Sequence, residues 1–246
     1  MNQHRVFKNA PITEAIIDIQ VERQENCTID ILGKFGEAID KKFDEQKKRT
    51  RFEGKIDFGP EKSPNFTQKS EVDGVAFKCN PENKIVQARL NGYGFSKLQP
   101  YEKWETFVSE AKELWGKYRD LVNPSKVTRI GLRYINRIEI PMPVYDFKEY
   151  FLTFPEIAEG LPSAISGLFM RLTLPKPCTD YNAIITQAIN QATNQSLPII
   201  FDIDVAKTGE FDASSDEIWT FLAEMREYKN EIFFKSLTEK AKGLFE

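Results

Sequence analysis

Three arginines recur at every fourth position in the run Arg129-Ile130-Gly131-Leu132-Arg133-Tyr134-Ile135-Asn136-Arg137. In extended backbone successive side chains alternate faces. Arg129, Arg133 and Arg137 then share one face, and Ile130, Leu132, Tyr134 and Ile138 share the other. A row of guanidinium groups can grip phosphate or carboxylate in bidentate fashion. Opposite charge is available from two other runs of strand character: Glu14 and Asp18 near the start, and Asp202 and Asp204 within 200–205. Arg89, with its neighbours Gln87 and Asn91, and Asn136 inside the arginine run complete the set of ligand or interface candidates. The set admits two readings. It can form a polar groove for an anion, or it can be a solvated sheet face or subunit interface laced by cross-strand ion pairs. The second is the stronger expectation.

Other chemistries have less material. Asp202 and Asp204, one pleat apart, could share a divalent cation, but no third acidic ligand lies nearby except Glu210 and Asp212. Facing arginines explain the pair more simply, so no metal site is assigned. The glycine-containing run Asn91-Gly92-Tyr93-Gly94-Phe95-Ser96 leads into no helix and fits neither phosphate-loop pattern, which favours a bulge or bend in a long strand. Lys41, Lys42, Lys47, Lys48, Arg49 and Arg51 form one basic cluster, read as a solvated helix end. The only histidine is His4, and the three cysteines, Cys27, Cys79 and Cys178, stand far apart. Neither a Ser-His-Asp triad nor a thiolate zinc site can be assembled from these. No catalytic residue and no cofactor is assigned.

These side chains need a scaffold large enough to hold them. The 246 residues are 41% hydrophobic and 29% charged, with a net charge of −3, the balance of a globular domain with a full core. The acidic balance argues against a dedicated duplex-DNA binder. No apolar run reaches the ~20 residues that span a bilayer, and no signal-peptide pattern opens the chain, so a cytoplasmic location without membrane contact is expected.

Hydrophobic periodicity gives strands at 14–21, 51–58, 74–79, 84–98, 127–140, 166–174, 181–189 and 198–207. It gives helices at 30–47, around 146–151 and from Ser214 or Ser215 onward, and reads 62–70 as loop or strand start. The clearest helix carries Trp104, Phe107, Val108, Ala111, Leu114, Trp115 and Tyr118 on one face, and Asn123-Pro124 stops it. Each half then reads strand, helix, three antiparallel strands, long helix. The expected class is α+β, with antiparallel sheet packed on long amphipathic helices and a two-lobe pseudo-duplication. Its lobes, 1–123 and 124–246, share one sheet and core.

Four stretches carry a resemblance: Asn9-Ala10-Pro11-Ile12-Thr13-Glu14-Ala15-Ile16, the segment from Gly94 to Tyr101 with Trp104, the run from Arg129 to Ile138 with Pro141, and Asn230-Glu231-Ile232-Phe233. Together they resemble a sporadically distributed prokaryotic family of unknown function, over nearly the whole chain. The resemblance implies no activity and transfers no catalytic residue. It implies a gene carried with mobile or antiviral-defence loci. The function expected is that of a non-enzymatic interaction or assembly component, binding a protein partner or its own copies. The alternative is a nucleotide- or nucleic-acid-binding protein that uses the arginine and carboxylate groove.

Overall fold

Alternating apolar residues account for the strands at the middle of the sheet, which bury one set. In β1 (Ile12–Val21), Ala15, Ile17, Ile19 and Val21 are buried while Glu14, Ile16, Asp18 and Gln20 are not. The same alternation runs through β6 (Val127–Pro141), where Ile130, Leu132, Tyr134, Ile138 and Ile140 are buried. The computed structural model describes residues 5–59, 62–161, 165 and 167–246, with the side chains of 53–68 outside the description. His4, Pro60, Pro162 and Ser166 lie outside the described residues.

The protein is α+β. The remaining strands are β2 (Glu45–Gly59), β3 (Lys62–Cys79), β4 (Lys84–Arg89), β5 (Gly92–Leu98), β7 (Phe169–Pro175), β8 (Tyr181–Ile189) and β9 (Ser196–Phe211). All nine form one antiparallel sheet in the order β2-β3-β4-β5-β1-β6-β9-β8-β7, with β1 paired to β6 near its middle. The helices α1 (Ile29–Gly33), α2 (Phe35–Ala38), α3 (Trp104–Val122), α4 (Glu217–Ser236) and α5 (Glu239–Lys242) lie against the apolar face.

Helix α3 presses Phe107, Ala111, Leu114, Trp115 and Tyr118 onto Tyr93 and Phe95 of β5. Asn123 caps it in the left-handed conformation. Helix α4 sets Ile218, Leu222, Met225 and Ile232 over β6 and β9, with the Phe233 ring 6.1 Å from that of Phe201. Ser215 Oγ accepts from the Glu217 amide at its start. The two helices run antiparallel: Trp115 of α3 donates to the Ala213 carbonyl just before α4, and Trp104 lies under Arg226 farther along it. No described helix is long and apolar enough to cross a membrane.

Several expected elements change. The helix expected over 30–47 is two short turns, α1 and α2, followed by strand from Glu45. Gly36 lets the Phe77 ring approach so closely that a Cβ there would meet it at 2.7 Å, and the Asp40 carboxylate ties a turn by accepting from the Lys42 amide. Tertiary packing therefore overrides the helical spacing, and the basic cluster runs from a turn onto β2 instead of ending a helix. Residues 62–70 continue the hairpin with β2. The single strand expected over 84–98 is two, because Leu90 and Asn91 turn the chain and bond out to Asp73 and Val21. Four strands, not three, therefore separate α2 from α3. The segment 146–151 holds a 3-10 turn, Phe147–Glu149, and a single bridge from Phe151 to Leu237 in place of a helix.

Candidate functional site

The face of the sheet opposite the helices carries the arginines. Arg129 runs along β6 over Gly131, where a Cβ would lie only 2.5 Å from the guanidinium. Gly131 sits directly opposite Asp18 of β1, so this gap brings Arg129 to Asp18 at 3.1 Å and, on the other side, to both carboxylate oxygens of Asp204 at 3.1 Å. Arg89 reaches Asp18 from the far side at 2.6 Å and also donates to the Tyr93 carbonyl. Arg133 forms a bidentate pair with Asp202, at 2.9 and 2.6 Å. The hydrogen bonds that Arg133 donates to Asp202 raise its pKa above the usual value. Burial pushes the Asp204 carboxyl up, opposed by Arg129 and Arg133 and reinforced by Asp18 and Asp202.

Six of the eight candidates thus meet: Asp18, Arg89, Arg129, Arg133, Asp202 and Asp204. Arg137 stands apart, paired with Glu139 at 2.6 Å. Asn136 is not in the groove. It is buried on the helix side, where its amide donates to the Phe201 carbonyl at 2.9 Å. Strand parity alone requires this placement. The arginine face is therefore a lattice of mutual ion pairs, with each guanidinium already holding a carboxylate.

The helix side offers a different site. A cleft of about 800 Å³ opens between the first turn of α3, the second half of α4, the end of the chain near Phe245 and the segment from Arg5 to Ile12. Its outer wall is closed by the Asn9 amide donating to the Phe245 carbonyl and by an Arg5–Glu246 ion pair. Tyr134 of β6 forms the floor. Its hydroxyl bonds to that of Tyr101 at 2.8 Å, with the rings edge to face. Trp104, only half-buried because it borders this space, lies under the Arg226 guanidinium at 5.5 Å.

Lys229 is the unusual member. Its side chain comes off the core stripe of α4, is 8% exposed, and places Nζ 4.0 Å from the centre of the Tyr134 ring. It makes no hydrogen bond or ion pair among the described residues. Burial lowers its pKa to about 7, and Arg226 one turn away pushes the same way, with Glu227 opposing. The electron-rich face of Tyr134 also favours the charged form. Burial raises the pKa of both tyrosine hydroxyls, that of Tyr101 to about 12. The cleft thus combines a solitary amine, two protonated hydroxyls, an aromatic wall and a cationic bias. Lys8, Lys103 and Lys229 line it with no ion pair among the described residues, Arg226 has Glu227 at 3.8 Å, and Glu102, Glu105 and Glu139 also border the space. The first turn of α3 beside it has no side-chain cap.

Lys229 had a signal in the sequence. Ile218, Leu222, Met225, Lys229, Ile232 and Ser236 are spaced alternately four and three apart, which places a lysine on the buried stripe of an amphipathic helix. Tyr101 and Trp104 are distant from it in the chain, and nothing local joins them. No family model and no curated protein matches this chain.

Proposed function

We propose that this protein binds a small anionic ligand with an aromatic or apolar body, the chemistry shared by nucleotides and aryl carboxylates, in the cleft over Tyr134. The observation that carries this reading is the unpaired amine of Lys229 at the cleft wall. A buried ammonium without a counter-ion costs several kcal/mol, and a ligand's anion would repay that cost. Arg226 and the uncapped turn of α3 add donors of the right sign, and Trp104 supplies an apolar wall. A thermal-shift panel of nucleoside monophosphates and aryl carboxylates tests it. A binder at about 100 times its Kd stabilises by about 2.7 kcal/mol, and the shift should vanish in Arg226→Ala. A panel that moves nothing, or a shift that survives both Arg226→Ala and Lys229→Met, overturns the assignment.

A second reading rests on the other face. The described helices cover one side of the sheet only, and on the open side Ile16, Ile135, Ile184 and Ile200 lie half-buried among the ion pairs. That mixed surface supports an assembly component, docking a protein partner or a second copy, within the cytoplasmic accessory or defence role implied by the family resemblance. Charge reversal in Arg133→Glu should then lower the native mass while leaving helical content intact, and an unchanged mass removes this reading. The strand order supports a further proposal, that the halves arose by duplication. Outward from the centre, β1-β5-β4-β3 is matched by β6-β9-β8-β7, with β2 extra, and each half closes on a long helix.

A further inference from the structure

We infer that Lys229 is a covalent capture residue: its amine condenses with the carbonyl group of an anionic aldehyde or keto acid held in the cleft, forming an imine. This rests on the cleft being a ligand site and names the ligand's reactive group. Four observations on the geometry lead here. The amine lies at the cleft wall, nine-tenths buried, with no acceptor among the described residues to hold it as a permanent ammonium. Arg226, the neighbouring cation on α4, disfavours charge on it and, with only a long 3.8 Å ion pair to Glu227, can turn to the ligand's carboxylate or phosphate. The Tyr134 ring directly beneath carries a hydroxyl tied to that of Tyr101. The space is large enough for a small aromatic ligand.

A lysine that only attracted an anion would serve best fully charged. A desolvated amine beside a second cation is how a lysine becomes a nucleophile near neutral pH. The fall of its pKa to about 7 leaves a substantial fraction as free amine there.

The reaction balances without a further reagent. The Nζ lone pair attacks the carbonyl carbon and the C=O π pair moves to oxygen. One amine proton reaches that oxygen, relayed by the tyrosine hydroxyls, to give the carbinolamine. The second amine proton then leaves with the hydroxyl as water while the nitrogen lone pair forms the C=N bond. Tyr134 and Tyr101, both held protonated by burial, can donate to the departing oxygen.

The test uses the full chain with 4-formylbenzoate, followed by cyanoborohydride, intact-mass measurement and peptide mapping. The expected result is one adduct equal to the probe's mass less one oxygen, on Lys229, forming faster as the pH rises from 6 to 8. It should be absent in Lys229→Met and in Lys229→Gln, with unchanged circular dichroism reporting intact folds. In Tyr101→Phe the adduct should form several-fold more slowly, and 4-methylbenzoate, which has no aldehyde to condense, reports binding separately. Labelling scattered over surface lysines, or an adduct that persists in both Lys229 variants, overturns the inference. If 4-methylbenzoate binds and 4-formylbenzoate leaves no adduct, imine chemistry fails and the ligand site stands. If neither compound binds, the ligand site fails with it.

Discussion

The two faces of the sheet treat charge in opposite ways. On the open face Arg89, Arg129 and Arg133 sit beside Asp18, Asp202 and Asp204, and each charge has a partner of opposite sign. On the helix side Lys229 is more deeply buried than these arginines and has no such partner among the described residues. A dense cluster of charges in a strand pattern is therefore a poor guide to reactivity, because neighbouring strands can neutralise it. A single charge on a core stripe is a better one, because nothing on its own element can.

The largest expected effect lies in the lattice. Among the described residues, Arg129→Ala leaves Asp204 with no direct ion-pair partner and Asp18 with Arg89 alone, all three groups being at most a quarter exposed. Breaking such a set from one side costs about 3–5 kcal/mol, and each kcal/mol lowers Tm by about 2–4 °C in a chain of this size. Chemical denaturation measures it, and a loss under about 1 kcal/mol would erase the contrast between the faces. Lys229→Met should act the other way, stabilising by about 1–4 kcal/mol by removing a solitary buried amine while filling its volume. A destabilised Lys229→Met would mean that the amine has a partner.

The pH dependence sharpens the same comparison. Lysine titrates near 10.5 when unfolded, and Lys229 near 7 when folded. Between those values the unfolded chain holds a proton that the folded chain has released, so stability rises with pH there. The slope attributable to Lys229 is at most about 1.4 kcal/mol per pH unit, read as the difference between wild type and Lys229→Met from pH 7 to 9.5. Subtraction removes other groups, including the buried tyrosines, whose raised pKa values lower stability above pH 10. A flat difference would place the folded pKa at its ordinary value.

Smaller effects follow from geometry on the open face. Gly131→Ala puts a methyl where the Arg129 guanidinium lies. The side chain can swing away, but it then loses Asp18, at about 1.5–3 kcal/mol for a charge-assisted hydrogen bond. In Arg129→Ala the same glycine substitution should cost nothing comparable, and that double-mutant cycle is the measurement. Arg137→Ala should change stability by less than about 0.5 kcal/mol, since Arg137 and Glu139 are both substantially exposed.

The strand alternation of β1 and β6, the amphipathic stripe of α3 and the grouping of Arg129, Arg133 and Arg137 on one face were all legible in the sequence. Each follows from a period of two or of 3.6 over a long enough run. The helix expected over 30–47 had its periodicity too, but Gly36 packs against Phe77, and no local signal reports that contact. Asn136 could have been assigned to the helix side by parity. The lysine on the α4 stripe was equally visible, although a lysine there reads first as a helix former with a solvated head.

Residue order by itself determined the faces: which side chains on each strand point toward the apolar layer and which point away. It also determined that oppositely charged residues were available in number to meet the arginines. Only the tertiary structure decided which charges met. Pairing depends on strand order and register, and these place Gly131 opposite Asp18 across residues more than a hundred positions apart. It alone brought Tyr101, Tyr134, Arg226 and Lys229 around one cleft, because they come from a loop, a strand and a helix whose approach is set by core packing. Desolvation is likewise a property of the assembled fold, and in this chain it separates a paired arginine from a reactive lysine.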